Sequence, residues 1–283
     1  MDQLRDQLDP RACRLANLPG RIWLFGGKGG FTLDTSVQCE SLRDSFWRQS
    51  LSGTVSSRYT WVRDLDIPEN HPGWWAFSGH GDLLAFERDA CHLARAIILF
   101  PESPGSLAEL GALAVDESII DRLLVVVQSK YLHVDTRESF LNLGPLKRAE
   151  ARGNRCVIGV EAAVDLPQVD FDTITDFVND RLPTGPSTER LRPDNRTHRL
   201  LLIADLVDLL LITKPPELQS VLYYFDVQIS IPDLEQSAKL LEFLGLMRIE
   251  HRGNEHFFVR KARAARTWVD YSAQDGKPVF DRS

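Results

Sequence analysis

The sequence predicts an α/β protein, a parallel sheet flanked by helices, followed by a second and mainly helical part. Three observations carry this. Short apolar runs recur at 21–25, 96–100, 123–128 and 156–160, and continuous apolar character is what a strand covered on both faces shows. Stretches with helical spacing stand between them, the alternation of a parallel sheet. Beyond Pro183-Thr184-Gly185-Pro186-Ser187 the strands give way to successive apolar helices. The proline and glycine there mark a linker.

In chain order, residues 1–18 read as a polar helical segment. The strand at 21–25 runs into Gly26-Gly27-Lys28-Gly29-Gly30. Four glycines around a lysine can turn several backbone N–H groups toward an anion, with Lys28 adding charge. The pentapeptide is neither a P-loop nor G-x-G-x-x-G, so no nucleotide family follows from it, and a flexible connection stays open. Residues 39–51 have helical spacing. A strand at 60–62 leads into Arg63-Asp64-Leu65-Asp66, which places Asp64 just past a strand end. The loop at 68–81 carries His71, Trp74, Trp75 and His80 and reads either as a base-stacking lid or as aromatic packing. A helix at 83–94 presents Glu87 on its polar side. After the strand at 123–128, residues 138–152 hold Ser139-Phe140-Leu141-Asn142-Leu143-Gly144-Pro145, a loop or helix start, and a helix at 171–182 closes this part.

The central stretch is Ala96-Ile97-Ile98-Leu99-Phe100 followed by Pro101-Glu102-Ser103-Pro104-Gly105-Ser106-Leu107-Ala108-Glu109-Leu110-Gly111. Two prolines and a glycine stop the strand. Ser106 then reads as the start of a helix through Leu110 and Ala114. In an open α/β sheet, ligands bind in the crevice at the carboxyl ends of the strands. Glu109, in the first turn of that helix, stands where a ligand could be, with Ser103, Gly105 and Ser106 around it. Ser-x-x-Glu is also the capping-box pattern, in which Glu109 would do no more than bond back to the backbone.

Composition excludes several classes. With 283 residues, 43 % apolar and 26 % charged, the chain suits two globular domains and not a disordered protein. No apolar run approaches the roughly 20 residues that span a bilayer, and the charged opening is unlike a signal peptide, so a cytoplasmic protein without a membrane partner is expected. Cys13, Cys39, Cys91 and Cys156 are scattered, which indicates neither a disulfide framework nor a metal site. Residues 1–185 hold 19 Lys and Arg against 26 Asp and Glu, a net of −7, whereas 186–283 hold 14 of each. That acidity argues against nucleic-acid binding by the general surface of the first part.

The second part reads as helices at 199–212, 217–225, from 232, and at 237–244. Two short strands follow at 246–251 and 256–260 around Arg252-Gly253-Asn254. Helices followed by a basic hairpin make a winged helix. Residues 248–266 carry Arg248, Arg252, Arg260, Lys261, Arg263 and Arg266 against Glu250 and Glu255, the one stretch suited to phosphate. A dimerisation module of the same shape is the alternative, because acids on the helices dilute the basic face. The expected domains are 1–18, 19–183, a linker at 184–195, and 196–275.

Ile98-Leu99-Phe100-Pro101-Glu102-Ser103-Pro104-Gly105-Ser106 with Glu109-Leu110-Gly111 resembles the signature loop of the nucleoside deoxyribosyltransferase-like effectors encoded beside bacterial retrons. The similarity extends to Gly26-Gly27, Glu87, Ser139-Phe140 with Asn142, Gly144-Pro145, and a winged-helix carboxyl-terminal domain. It implies a nucleoside deoxyribosyltransferase-like, flavodoxin-like sheet domain and a toxin of antiphage defence. Such a toxin is held in check, or assembled into an oligomer or filament, by a reverse transcriptase and its multicopy single-stranded DNA (msDNA). It implies N-glycosidase action without a cofactor, NAD or a related nucleotide being the substrate, and it makes Glu109 the nucleophile. Asp64 and Glu87 would then contact ribose hydroxyls and Asn142 would orient the substrate. A carboxylate attacking the anomeric carbon through an oxocarbenium-like transition state is known glycosidase chemistry. The loop also resembles the lysine-decarboxylase-like phosphoribohydrolases and their sensing relatives, which keeps open a nucleotide sensor without turnover and a ligand-controlled DNA-binding regulator.

Overall fold

The computed structural model describes residues 7–30, 36–133, 138–159, 164–182, 188–261 and 267–274. In chain order the first elements are β1 (Arg14–Leu15), β2 (Ile22–Phe25), α1 (Leu42–Ser50), α2 (Gly53–Arg58), β3 (Leu65–Asp66), α3 (Leu83–His92), β4 (Ala96–Leu99), α4 (Pro104–Ala114), β5 (Leu123–Gln128) and α5 (Lys147–Ala151). There follow β6 (Arg155–Ile158), α6 (Gln168–Arg181), β7 (Glu189–Arg190), α7 (Arg196–Leu210), β8 (Ile212–Thr213), α8 (Pro215–Tyr224), α9 (Ile231–Phe243), β9 (Met247–Arg252), β10 (Glu255–Arg260) and β11 (Val269–Asp270). They form two compact units. One comprises Pro19–Trp74 with Ala94–Leu182, and the other Met1–Leu18, Trp75–Leu93 and Pro183–Ser283.

The first unit is built on a five-stranded sheet in the order β3-β2-β4-β5-β6, with every neighbouring pair parallel. All residues of β2, β4 and β5 are buried, as the unbroken apolar runs require. On one face Leu24, Ile98 and Val126 join a core with Phe46 of α1 and Phe171 of α6, whose ring centroids lie 5.4 Å apart. On the other face Trp23 stacks edge-on against Trp74 at 4.8 Å. Trp74 is fully buried, so this part of the 68–81 loop is core packing. The chain leaves β2 for β3 on one side and returns to β4 on the other. That reversal makes a crevice at the carboxyl ends of β2 and β4.

The strand expected at 60–62 is a 3₁₀ turn, Thr60–Asp64, and β3 begins only at Leu65. The N-cap of α4 is Ser103, three residues before the expected Ser106, and Pro104 is the first residue of the helix.

In the second unit α7, α8 and α9 precede the β9–β10 hairpin, whose second strand β10 is the middle strand of its sheet and also pairs with β8. The helices expected from 232 and at 237–244 are one helix, α9, capped by the Ser230 side chain. The polar helix expected over 1–18 is corrected in its described part. Leu8 bridges Ala273, and β1 is the middle strand of a β11-β1-β7 sheet. Residues 75–93 belong to this unit, although they lie within the expected 19–183 domain. Asp89 of α3 binds Arg196 through Nε (3.1 Å) and Nη2, and Arg196 Nη1 donates to Ser237 Oγ of α9 (3.2 Å). Asp89 is also 3.0 Å from His80 Nε2. Burial works against the charge on Asp89, but hydrogen bonds from His80 and Arg196 outweigh it and hold the carboxyl far below its usual range.

Candidate functional site

The β2/β4 crevice is held together by one carboxylate that the sequence reading missed. Glu102, in the loop after β4, accepts from the backbone N–H of Gly27 (3.2 Å), Leu42 (2.9 Å) and Arg43 (3.0 Å). The last two donors are at the amino terminus of α1, where N–H groups have no partner within the helix. Asp44 takes the N–H of Gly30 at 2.7 Å. The guanidinium of Arg43, 2 % exposed, donates to the carbonyls of Gly27 and Gly29 and to both oxygens of Glu69.

Gly26 and Gly27 are thus at the crevice, but the Gly27 and Gly30 amides already bind the chain's own carboxylates. A Cβ on Gly27 would come within 2.8 Å of Ser41 Cβ, and one on Gly29 within 2.3 Å of Asp44 Cβ. The glycines therefore serve close packing against α1. Lys28 has an exposed side chain and binds through its carbonyl, which accepts from Ser41 Oγ at 2.6 Å.

On the β4 side, Ser103 and Ser106 form the capping box of α4. Ser106 Oγ, buried, also accepts from the N–H groups of Glu102 (3.1 Å) and Ser103 (2.9 Å). Gly105 is exposed. Because the box is Ser103 with Ser106, Glu109 takes no part in it and lies in the second turn of α4, half-buried with Oε2 enclosed. The capping alternative for Glu109 is overturned.

A single π-helical turn, Asn142–Leu146, packs against α4. Asn142 Nδ2 donates to the Tyr131 carbonyl (2.6 Å) and to Ser139 Oγ (3.1 Å), which fixes this amide beyond the end of β5. Glu109, Asn142, Ser103, Ser106 and the glycine loop therefore share the carboxyl edge of the sheet.

Asp64 does not join them. It precedes β3, beside Gly20 and 3.8 Å from Arg95 Nη1. It stands at the opposite, amino-terminal edge, because the strand starts at Leu65 and not at Thr60. Glu87 is buried on α3 in the other unit. Asp66 ends β3 level with Trp23 and 3.4 Å from Arg21 Nε, whereas Glu69 follows and binds Arg43 of the crevice. Asp66 binds His71 Nε2 at 2.8 Å and Asn70 Nδ2 at 3.0 Å. Burial opposes its charge, yet these bonds hold its carboxyl below the usual range.

On the hairpin, Arg248, Glu250 and Arg252 alternate onto one face, with Glu250 3.5 and 3.7 Å from the two guanidiniums. Arg260, on the opposite face, is 3.5 Å from Asp208. Lys261 is exposed, and Arg263 lies outside the described residues. Among the described residues no group of three or more His, Cys, Asp or Glu side chains could hold a metal ion, and no helix is long and apolar enough to cross a membrane.

Fold and site together define a doubly wound α/β protein with an acidic residue beside its switch point, joined to a helix-and-hairpin unit. The model of the STM3845 retron effector protein family matches residues 39–249, about three quarters of the chain, and the chain belongs to that family. It is 32 % identical over 148 residues to the "Retron Ec86 putative ribosyltransferase/DNA-binding protein" of Escherichia coli, a match covering 51 % of this chain and 42 % of the relative. It is 38 % identical over 66 residues to the "Retron Ec73 putative ribosyltransferase/DNA-binding protein" of the same organism, covering 23 % and 20 %. The chain thus spans about two fifths of the length of the first relative and one fifth of the second.

Proposed function

We propose that the α/β unit, a nucleoside deoxyribosyltransferase-like domain, cleaves the N-glycosidic bond of NAD or a related nucleotide, and that it is the toxin of a retron antiphage system. The observation that carries this reading is Glu109, half-buried in α4 beside the switch point and outside the cap of its own helix. The naming of two relatives as ribosyltransferases supports the same bond. Glu109 attacks the anomeric carbon as the carbon–nitrogen bond breaks, and the base departs with that electron pair. Nicotinamide, cationic while attached, leaves neutral and needs no general acid. Water then opens the glycosyl ester and regenerates the carboxylate. Asn142 orients the substrate.

The reaction needs no metal or organic cofactor. We further propose that α7–α9 and the hairpin are a winged helix that binds nucleic acid, and that a reverse transcriptase and its msDNA restrain the toxin or assemble it into an oligomer. The test is chromatography with mass detection on NAD, NADP, deoxynucleosides and deoxynucleotides, using wild type and Glu109→Gln with and without the co-expressed reverse transcriptase. Nicotinamide or free base released by the wild type alone is the expected result. No turnover in any arm, with ligand bound equally by both proteins, would overturn the glycosidase in favour of a sensor.

A further inference from the structure

A winged helix ordinarily reads a duplex with the helix that precedes its hairpin, laid in the major groove. In this chain that helix is α9, and its surroundings are unsuited to the task. Its sequence, Ile231-Pro232-Asp233-Leu234-Glu235-Gln236-Ser237-Ala238-Lys239-Leu240-Leu241-Glu242-Phe243, carries three acids against one lysine. Two of those acids are tied to the hairpin. Glu235 Oε1 is 3.2 Å from His256 Nε2, and Glu242 Oε1 accepts from the Ile249 N–H at 2.7 Å.

The other flank of α9 is covered by residues 75–93. Phe86 of α3 meets Phe243 edge-on at 5.4 Å. Gly79 lies so close over Lys239 that an added Cβ would come within 2.8 Å of Lys239 Cδ. The covering segment is pinned from below by the buried Asp89–Arg196–Ser237 chain. Inserting α9 into a groove would require breaking that chain and bringing acids to phosphates.

The hairpin offers the opposite conditions. Arg248 and Arg252 are 56 % and 71 % exposed and share one carboxylate at 3.5–3.7 Å. Exposed pairs of that kind are weak and give way readily to a phosphate. Exposed Lys261 follows the same hairpin.

We infer that, within the nucleic-acid reading on which this rests, the unit binds a nucleic-acid backbone along the outer face of β9–β10. Arg248 and Arg252 contact phosphates there, and α9 reads no bases. Binding is then indifferent to sequence, which separates this protein from a sequence-specific regulator.

The experiment is fluorescence anisotropy on the full chain, with a labelled 25-base-pair duplex in two unrelated sequences and the corresponding labelled single strands, between 50 and 200 mM KCl. The expected result has three parts. The two sequences bind within about 3-fold of each other. Arg248→Gln with Arg252→Gln weakens binding at least about 10-fold and lowers the salt slope by about 2. Gln236→Ala, half-buried on α9, binds like wild type. A thermal melt of each variant, unchanged from wild type, shows that lost binding is not lost folding. Wild-type binding retained by the double arginine variant, a strong preference for one sequence, or loss on Gln236→Ala would each overturn the inference alone. Absence of binding by the wild type would overturn the nucleic-acid reading and the inference with it.

Discussion

Glu102 and Glu109, seven residues apart, have different tasks. Glu102 closes the crevice by accepting three backbone N–H groups, and charge-assisted bonds of this kind are stronger than neutral ones. Glu102→Ala leaves those donors unmet and should lower the unfolding free energy by about 2–3 kcal/mol in urea titration, whereas Glu102→Gln, keeping one acceptor oxygen, should lose about half of that. Glu109→Gln should leave stability nearly unchanged. Glu109 was legible in the sequence as an acid after a buried strand. Glu102 was not, because its donors come from Gly27, Leu42 and Arg43, at least 59 residues away. One local signal was available for the helix start: a proline at the first helical position marks the residue before it as the cap, which points to Ser103 and not Ser106.

The elements legible in the sequence are those whose burial is a property of the run itself. The strands β2, β4 and β5 read directly as unbroken apolar segments. The two-residue strands β1, β3 and β11 did not, since their pairing depends on partners distant in the chain. Ser237 looked like the start of a fourth helix. It is buried inside α9, where its hydroxyl donates to the Asp233 carbonyl and receives Arg196, the back-bonding a mid-helix serine can make. The pin formed by Asp89 can be tested at this scale. Asp89→Asn removes the charge opposite Arg196 and should cost about 3 kcal/mol, measured by chemical denaturation. Because the folded-state pKa of Asp89 is depressed, its contribution is fully present above about pH 4, the unfolded value, and is lost as pH falls further. The gap between wild type and Asp89→Asn should therefore shrink as pH falls below about 4.

At the scale of the molecule, the sequence pointed to two units but not to how the chain divides between them. Linker composition was legible at 183–187, but nothing in 75–93 announces that its helix packs with α7 and α9, because Phe86 and Asp89 find their partners more than a hundred residues on. The chain consequently passes between the units four times. A fragment of residues 183–283 would lack Phe86, Asp89 and the middle strand of the β11-β1-β7 sheet. It should show no cooperative thermal transition by circular dichroism, although it contains α7–α9 and the whole hairpin. A sharp native-like transition would show that these elements fold on their own.

The antiparallel pairing of β1 with β11 also sets a timetable for synthesis. Val269 is made 254 residues after Leu15. At roughly 5–20 residues per second, the early strand waits about 13–50 s for its partner to be translated. Every residue of the α/β unit is made by residue 182. A nascent chain therefore contains all of the crevice residues, Glu109 among them, before the helix-and-hairpin unit can close. Any restraint that acts through the hairpin can form only after the crevice residues have been made.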